Sequence, residues 1–161
     1  MDKNFHKQLA DYLKQGYAHS PLEDIVADFP MDKINTKAPN SSYTPYRLLE
    51  HIRITQWDII DFIQNPKYKY LKWPDDYWTA EDFKATKKDW NRSVKGFTSD
   101  LKKLIKLVEN PKKDLLEKIP WGEGQNILKE VLVIVDHNSY HMGEFGILRD
   151  VMKTWGKKRP V

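Results

Sequence analysis

Hydrophobic residues recur every three to four positions along several stretches of the chain, which is the spacing of a buried helical face. In the clearest stretch the apolar positions step by 7, 4, 3, 4, 3 and 4 residues. These positions are Phe83, Trp90, Val94, Phe97, Leu101, Leu104 and Val108. The pattern predicts a long helix that begins at Thr79-Ala80-Glu81-Asp82 and ends at Asn110-Pro111.

Two helices are predicted in the first thirty residues. The first covers residues 3–17, where aromatic and leucine side chains recur at helical spacing. A short helix follows, with Ser20 as its cap, Pro21 at its first position and Glu23 three residues after the cap. This order is typical of a helix start, because these side chains satisfy free backbone amides. The short helix is expected to end before Pro30, since the residue before a proline avoids helical angles.

Two further long helices are predicted in the remainder of the chain. One begins at Thr44-Pro45, a cap followed by proline, and runs to about Gln64. An aromatic connection over residues 68–78 is expected to pack down through its rings. The last helix is expected to cover residues 125–155 and to stop at Gly156.

The absence of a strand pattern between these segments favours an all-α fold. We expect an up-down bundle of about four helices with a short extra N-terminal helical segment. The 161 residues match the size of one domain, so residues 1–161 are expected to form a single domain. The chain contains no cysteine, which excludes disulfides, cysteine-ligated metals and cysteine nucleophiles.

Neither an export signal nor a membrane span is visible, and a cytoplasmic location is therefore expected. The N-terminus is polar and amphipathic, and the longest aliphatic run, residues 131–135, is far below the roughly 20 residues of a span. The net charge is +4, and residues 84–118 hold 11 Lys or Arg against 5 Asp or Glu. This stripe could bind an anionic partner, but a solvated helix face is favoured. Nucleic-acid binding is not expected, because no nucleic-acid module accompanies the stripe.

The clearest candidate chemistry is metal ligation by His137 and His141 on the last helix. Residues four apart lie one above the other on a helix, so both imidazoles can face one ion. The pair lies beside the predicted buried face, which is where bundles build metal sites from facing helices. A peptidase site is excluded, because the general-base glutamate of HExxH is replaced by Asn138.

A third ligand would have to come from another helix. His6 and His19 are expected to be exposed near the N-terminus. His51 lies at the margin of the apolar face of the second long helix, and its spacing alone favours a surface histidine over a ligand.

Neighbouring residues leave several interpretations open. Glu144, three residues after His141, could be a base, a fourth ligand, an outer hydrogen-bond acceptor or a surface ion-pair partner. Asn138 and Tyr140 could orient a ring or a substrate, or simply pack the helix. Direct ligation by Asp136 is not expected, since it points about a quarter-turn away from His137. The aromatic cluster of residues 73–78 could line a pocket or a dimer contact, but packing of the connection is favoured.

Two segments of the chain resemble the DinB family of four-helix-bundle proteins. They are LLEHIRITQWDI at residues 48–59 and DHNSYHMGE at residues 136–144. EDIVADFP at residues 23–30, Trp73-Pro74 and WGEGQ at residues 121–125 support the resemblance, which covers most of the chain.

The resemblance implies a DinB-like bundle in which His51, His137 and His141 together bind a divalent metal. It also implies a homodimer formed through the helices. The family includes transferases that use bacillithiol, mycothiol or glutathione, and related isomerases, and many members have no assigned reaction. Where the family often has glutamine after the His-x-Gly step, this chain has Glu144.

Three neutral imidazoles would leave at least one coordination position open, as catalytic sites do. Zinc and nickel are the favoured metals, with iron and manganese as alternatives. The leading prediction is a metal-dependent enzyme that transfers a small external thiol to an electrophilic small molecule, since the chain has no thiol of its own. The alternative is a non-catalytic metal-binding stress-response protein.

Overall fold

The structure, a computed structural model, describes residues 2–15 and 18–156, and these residues are helical without any strand. An isolated bridge joins Lys118 to Asn126. A 3₁₀ turn covers Asp75–Tyr77, and the α-helices are α1 (Lys3–Gln15), α2 (Leu22–Val26), α3 (Pro45–Gln64), α4 (Lys87–Glu109) and α5 (Ile127–Met152). Within this part of the chain, no helix combines the length and apolar character that crossing a bilayer requires. The all-α prediction is confirmed.

Helix α3 is the central element of the packing. It lies against both α4 and α5, while α1 packs on α4 and α2 packs on α5. The buried hydrophobic side chains form two clusters, one around α2 and the first half of α3, the other around α1 and the second half of α3. The long axis of α3 therefore connects both parts of the core, and any residue on its α5-facing side meets α5 directly.

The start of α3 follows the sequence prediction. The Thr44 side chain accepts a hydrogen bond from the Arg47 amide at 3.3 Å, and Pro45 occupies the first helical position. The helix ends at Gln64, as predicted, with Asn65 as its C-cap. Local signals were sufficient here because cap, proline and apolar spacing all agree.

The predicted start of α4 at Thr79 is wrong. The helix begins at Lys87, where Thr86 and Asp89 form a reciprocal capping box. Tertiary contacts hold the preceding residues out of a helix, since the Thr79 carbonyl accepts from Arg47 Nε at 3.0 Å. In addition, the Asn35 side chain bonds both the amide and the carbonyl of Ala85 at 2.9 Å.

The predicted cap of α2 is also wrong. Pro21, rather than Ser20, occupies the N-cap position, and no side chain caps this helix. Glu23 instead accepts a hydrogen bond from the Thr98 hydroxyl of α4 at 2.8 Å.

The ends of α1 and α5 complete the comparison. Helix α5 begins after Asn126, whose side chain accepts from the Lys129 amide at 2.8 Å. It ends at Met152 with Lys153 in the left-handed conformation, so Gly156 is not its stop. The predicted end of α1 at Tyr17 lies outside the described residues.

Candidate metal centre

Three histidine side chains converge between α3 and α5. His51 comes from α3, and His137 and His141 come from successive turns of α5. One ring nitrogen from each residue lies within 4.8 Å of the other two, and this group could hold a metal ion. The three residues named from the sequence are therefore brought together because α3 and α5 are direct neighbours.

His51 is buried, with only 2% of its surface exposed, so the surface position favoured by its spacing is wrong. The connection between α3 and α4 folds over this margin of α3 and covers the ring. Trp78 stacks on the His51 imidazole with ring centroids 3.9 Å apart and an interplanar angle of 4°. The aromatic cluster thus does more than pack the connection, because Trp78 forms one wall of the site. Trp73 is largely exposed, and its ring centroid lies 6.5 Å from that of His51.

Hydrogen bonds on the Nδ1 side decide the tautomers of two rings. His51 Nδ1 lies 3.1 Å from the Tyr77 carbonyl oxygen, and His141 Nδ1 lies 2.6 Å from Glu144 Oε2. Because a carbonyl and a carboxylate only accept, both Nδ1 atoms carry hydrogen. In a neutral imidazole with hydrogen on Nδ1 the lone pair is on Nε2, which is the atom that a metal would bind.

The separation of the nitrogens fits a shared ion. His51 Nε2 and His137 Nε2 are 3.2 Å apart. Two tetrahedral ligands at zinc–nitrogen distances of about 2.0–2.1 Å would be about 3.3–3.4 Å apart. His137 Nδ1 is buried and has no hydrogen-bond partner among the described residues, so no acceptor fixes the tautomer of this ring from the Nδ1 side.

Burial keeps the imidazoles of His51 and His137 neutral. Loss of solvent is the main cause that lowers the pKa of His51 to about 4 and that of His137 to about 3. Repulsion from neighbouring imidazoles lowers both pKa values further, while the bond to Tyr77 partly opposes the shift at His51. Both rings are therefore unprotonated at neutral pH, which is the form that binds metals.

Glu144 is held by two hydrogen bonds at the edge of the site. Its Oε2 receives the His141 bond, and its Oε1 accepts from the Tyr43 hydroxyl at 2.6 Å. Burial, and then the contact with Glu144, raises the pKa of Tyr43 above its ordinary value. The Tyr43 ring also stacks on Trp78 at 5.5 Å, so Glu144 and the wall over His51 belong to one connected set of contacts.

The other histidines lie outside this group. His6 is buried at 2% exposure, so its predicted exposure is wrong, and its Nδ1 lies 2.7 Å from the Val108 carbonyl oxygen of α4. His19 is half-buried and bonds through Nδ1 to the Ser20 carbonyl oxygen at 3.0 Å.

The polar neighbours on α5 divide between packing and the site. Asn138 is buried and donates to Gln56 Oε1 at 3.0 Å, which ties α5 to α3. Tyr140 is 64% exposed, and its ring meets the His141 ring edge-on at 4.9 Å. Asp136 is exposed and is not part of the three-histidine group.

Sequence reasoning did not single out Tyr43, which bonds Glu144, or Asp58, which accepts from the Tyr77 hydroxyl. For the cluster that contains Tyr77 and Trp78 it named a pocket as one possibility but favoured packing of the connection. Tyr43, Tyr77 and Trp78 lie in connections, where no periodic pattern indicates which side chains turn inward. Asp58 had a detectable signal: it lies seven residues after His51, on the same face of α3, where a charged residue is unusual.

Comparison with known proteins identified no relative of this chain. No protein-family model matches the chain, and neither a curated protein nor a solved structure matches it.

Proposed function

We propose that this protein is a DinB-like four-helix-bundle protein that binds one divalent metal ion through His51, His137 and His141. The convergence of the three imidazoles carries the proposal. Two of the rings have Nδ1 occupied by an acceptor, and two Nε2 atoms face each other at 3.2 Å. Without a cation, these two nitrogens can share one hydrogen bond, from His137 Nε2–H to His51 Nε2, whereas a shared ion would use a lone pair from each of the three rings.

The donor set suits zinc or nickel best, and iron or manganese less well. Three neutral ligands leave the charge of the ion uncompensated and leave room for a further ligand, as in catalytic sites. Of the roles open to Glu144, the contacts support that of an outer partner, because each of its carboxylate oxygens already accepts a hydrogen bond. In this role Glu144 orients His141 and increases the basicity of its ring.

The activity we propose is transfer of a small thiol, of the bacillithiol, mycothiol or glutathione type, to an electrophilic small molecule. Since the chain has no cysteine, the thiol must come from outside. The sulfur forms a bond to the electrophilic carbon, the leaving group departs with its bonding electrons, and the thiol proton passes to solvent. A bound divalent ion supplies Lewis acidity, which lowers the pKa of a thiol and increases the nucleophile available at neutral pH.

The site walls support binding of a small molecule. Trp73 and Tyr140 are both exposed and lie beside His51 and His141, respectively, with ring centroids 6.5 Å and 4.9 Å away. Exposed aromatic faces next to a metal centre offer apolar contact to a substrate while its reactive atom meets the ion.

The metal-binding part is tested by measuring metal per chain after purification without chelators, in the wild-type protein and in His137→Ala. We expect one divalent ion per wild-type chain and little in the variant. If neither protein retains or takes up stoichiometric metal, the site assignment fails.

The catalytic part is tested by thiol–electrophile conjugation assays across several thiols and metals, with the metal-loaded wild type and His137→Ala side by side. We expect metal-dependent consumption of thiol in the wild type alone. One observation favours the non-catalytic alternative, a metal-binding stress-response protein: Glu144 is already engaged by two donors and is not free to act as a base. Inactivity of the loaded wild type with every thiol would favour that alternative.

A further inference from the structure

Asp58 on α3 is a buried carboxylate held by two phenols. It is 5% exposed, its Oδ1 accepts from the Tyr68 hydroxyl at 2.9 Å, and its Oδ2 accepts from the Tyr77 hydroxyl at 2.6 Å. The ion pairs of the described residues include none with Asp58. Burial raises the pKa of its carboxyl, although both phenol bonds oppose that change. A buried carboxylate without a cation is costly, so its presence at this position calls for a role.

Tyr77 connects Asp58 to the metal centre. Its hydroxyl reaches Asp58, while its own main-chain carbonyl accepts from His51 Nδ1 at 3.1 Å. His51 and Asp58 are seven residues apart on one face of α3, a distance of about 10 Å along the helix. Tyr77 therefore lies lengthwise along α3, attached at one end to Asp58 and at the other to His51.

The connection that carries Tyr77 is attached to α3 on both sides of this residue: the Tyr68 hydroxyl bonds Asp58, and the Thr79 carbonyl accepts from Arg47 Nε. Residues 72–76 are exposed, and Tyr77 itself is held by the bond from its hydroxyl to Asp58. The next residue, Trp78, stacks on the His51 ring. A shift of Tyr77 would therefore displace both the acceptor for His51 Nδ1 and the aromatic wall over the ring.

We propose that Asp58 is a positioning residue for His51. By holding the Tyr77 hydroxyl, Asp58 places the Tyr77 carbonyl against His51 Nδ1 and so keeps His51 in the tautomer whose Nε2 faces His137 and His141. The value of this arrangement to the protein rests on the proposed metal function, but the effect on the tautomer exists without metal.

The two tyrosines offer a matched pair of variants. Tyr77→Phe and Tyr68→Phe each remove one hydroxyl from the same carboxylate and retain the ring, but only Tyr77 carries the acceptor for His51. Asp58→Ala removes both attachments. A purely structural role of Asp58 would make the two tyrosine variants equivalent.

The first measurement is made on metal-free protein. Long-range proton–nitrogen NMR at pH 7.5 reports which ring nitrogen of His51 carries hydrogen. We expect Nδ1–H alone in the wild type and in Tyr68→Phe, and a mixture of both tautomers in Tyr77→Phe and Asp58→Ala. Thermal unfolding of each variant confirms that the folded protein is being observed.

The second measurement is zinc affinity, by competition with a chromophoric chelator. We expect about 3- to 10-fold weaker binding in Tyr77→Phe, below the about 10- to 100-fold loss for groups that contact a ligand directly. Tyr68→Phe should stay within about twofold of the wild type, since it leaves the His51 acceptor in place.

The outcomes separate the two proposals. An unchanged His51 tautomer in Tyr77→Phe and Asp58→Ala overturns the positioning role, and so does an equal change in Tyr68→Phe. If the wild type binds no zinc while the tautomer changes as expected, the metal function fails and the positioning role stands.

Discussion

Two buried histidines, His6 and His51, share two local properties. Each is 2% exposed, and each has its Nδ1 next to a main-chain carbonyl oxygen, that of Val108 at 2.7 Å and that of Tyr77 at 3.1 Å. They differ in what the other nitrogen meets. His6 Nε2 has no hydrogen-bond partner among the described residues, whereas His51 Nε2 faces a second imidazole at 3.2 Å, with a third nearby.

This comparison shows that burial and an anchored Nδ1 are not in themselves signs of a metal ligand. A buried histidine that joins two helices, as His6 joins α1 to α4, has the same two properties for structural reasons. Convergence of several lone pairs is the distinguishing property, because an ion gains from each additional ligand.

The comparison is tested most strongly by zinc-dependent stability in His137→Ala and His6→Ala. Zinc at 100 times its dissociation constant should stabilise the wild type by about 2.7 kcal/mol. Loss of a direct ligand should weaken binding by more than about 100-fold, beyond the effect of an outer partner, and so remove most of the stabilisation. Each variant's unfolding is measured with and without zinc, so its lower baseline stability does not affect the comparison. Equal zinc stabilisation in both variants would contradict the assignment.

A smaller effect is expected when the acceptor for His141 Nδ1, Glu144, is changed. Glu144→Gln should weaken zinc binding by about 10- to 100-fold, because the amide loses the charge that increases the basicity of His141. Asp136→Asn is the matched control, since it neutralises a nearby exposed carboxylate of α5 that is not part of the three-histidine group. Chelator competition should show a change of at most about twofold for the control. A comparable loss of zinc affinity in both variants would mean that negative charge near the site, and not the hydrogen bond between Glu144 and His141, strengthens binding.

The smallest expected effect is the pH dependence of the metal-free protein. The pKa of His51 falls from 6.5 to about 4 on folding, and that of His137 falls to about 3. The unfolded state therefore binds more protons below pH 6.5, and stability is complete above that pH and lost as pH decreases. Between pH 6.5 and 5.5 each histidine should reduce the free energy of unfolding by about 1 kcal/mol.

The control for this pH effect is the double variant His51→Gln/His137→Gln, in which neither position titrates. Its free energy of unfolding, from urea titrations at each pH, should decrease by about 2 kcal/mol less than that of the wild type over the same interval. If the free energy of unfolding of the double variant decreased with pH as steeply as that of the wild type, groups other than His51 and His137 would be taking up the protons.

Prediction from sequence succeeded where neighbouring residues decide the outcome. The Thr44 side chain accepts a hydrogen bond from an amide in the first turn of α3, and Pro45 has no amide hydrogen that would need a partner. No distant residue is needed to start this helix. The similar signal at Thr79 gave a wrong prediction. Arg47 and Asn35, which are distant along the chain, form hydrogen bonds with the backbone carbonyls of Thr79 and Ala85.

The same division applies to the candidate site. The pairing of His137 with His141 follows from the 3.6-residue repeat of one helix, so the residues themselves determine it. The burial of His51, its tautomer and the engagement of Glu144 depend on Tyr77, Trp78 and Tyr43, which come from connections far away along the chain. Helical periodicity acts over a few residues, whereas the path of a connection depends on the surfaces available after the helices pack. For this reason the helices and two of the three histidines, the pair on α5, can be predicted from the order of amino acids, whereas the complete cluster forms only in the folded chain.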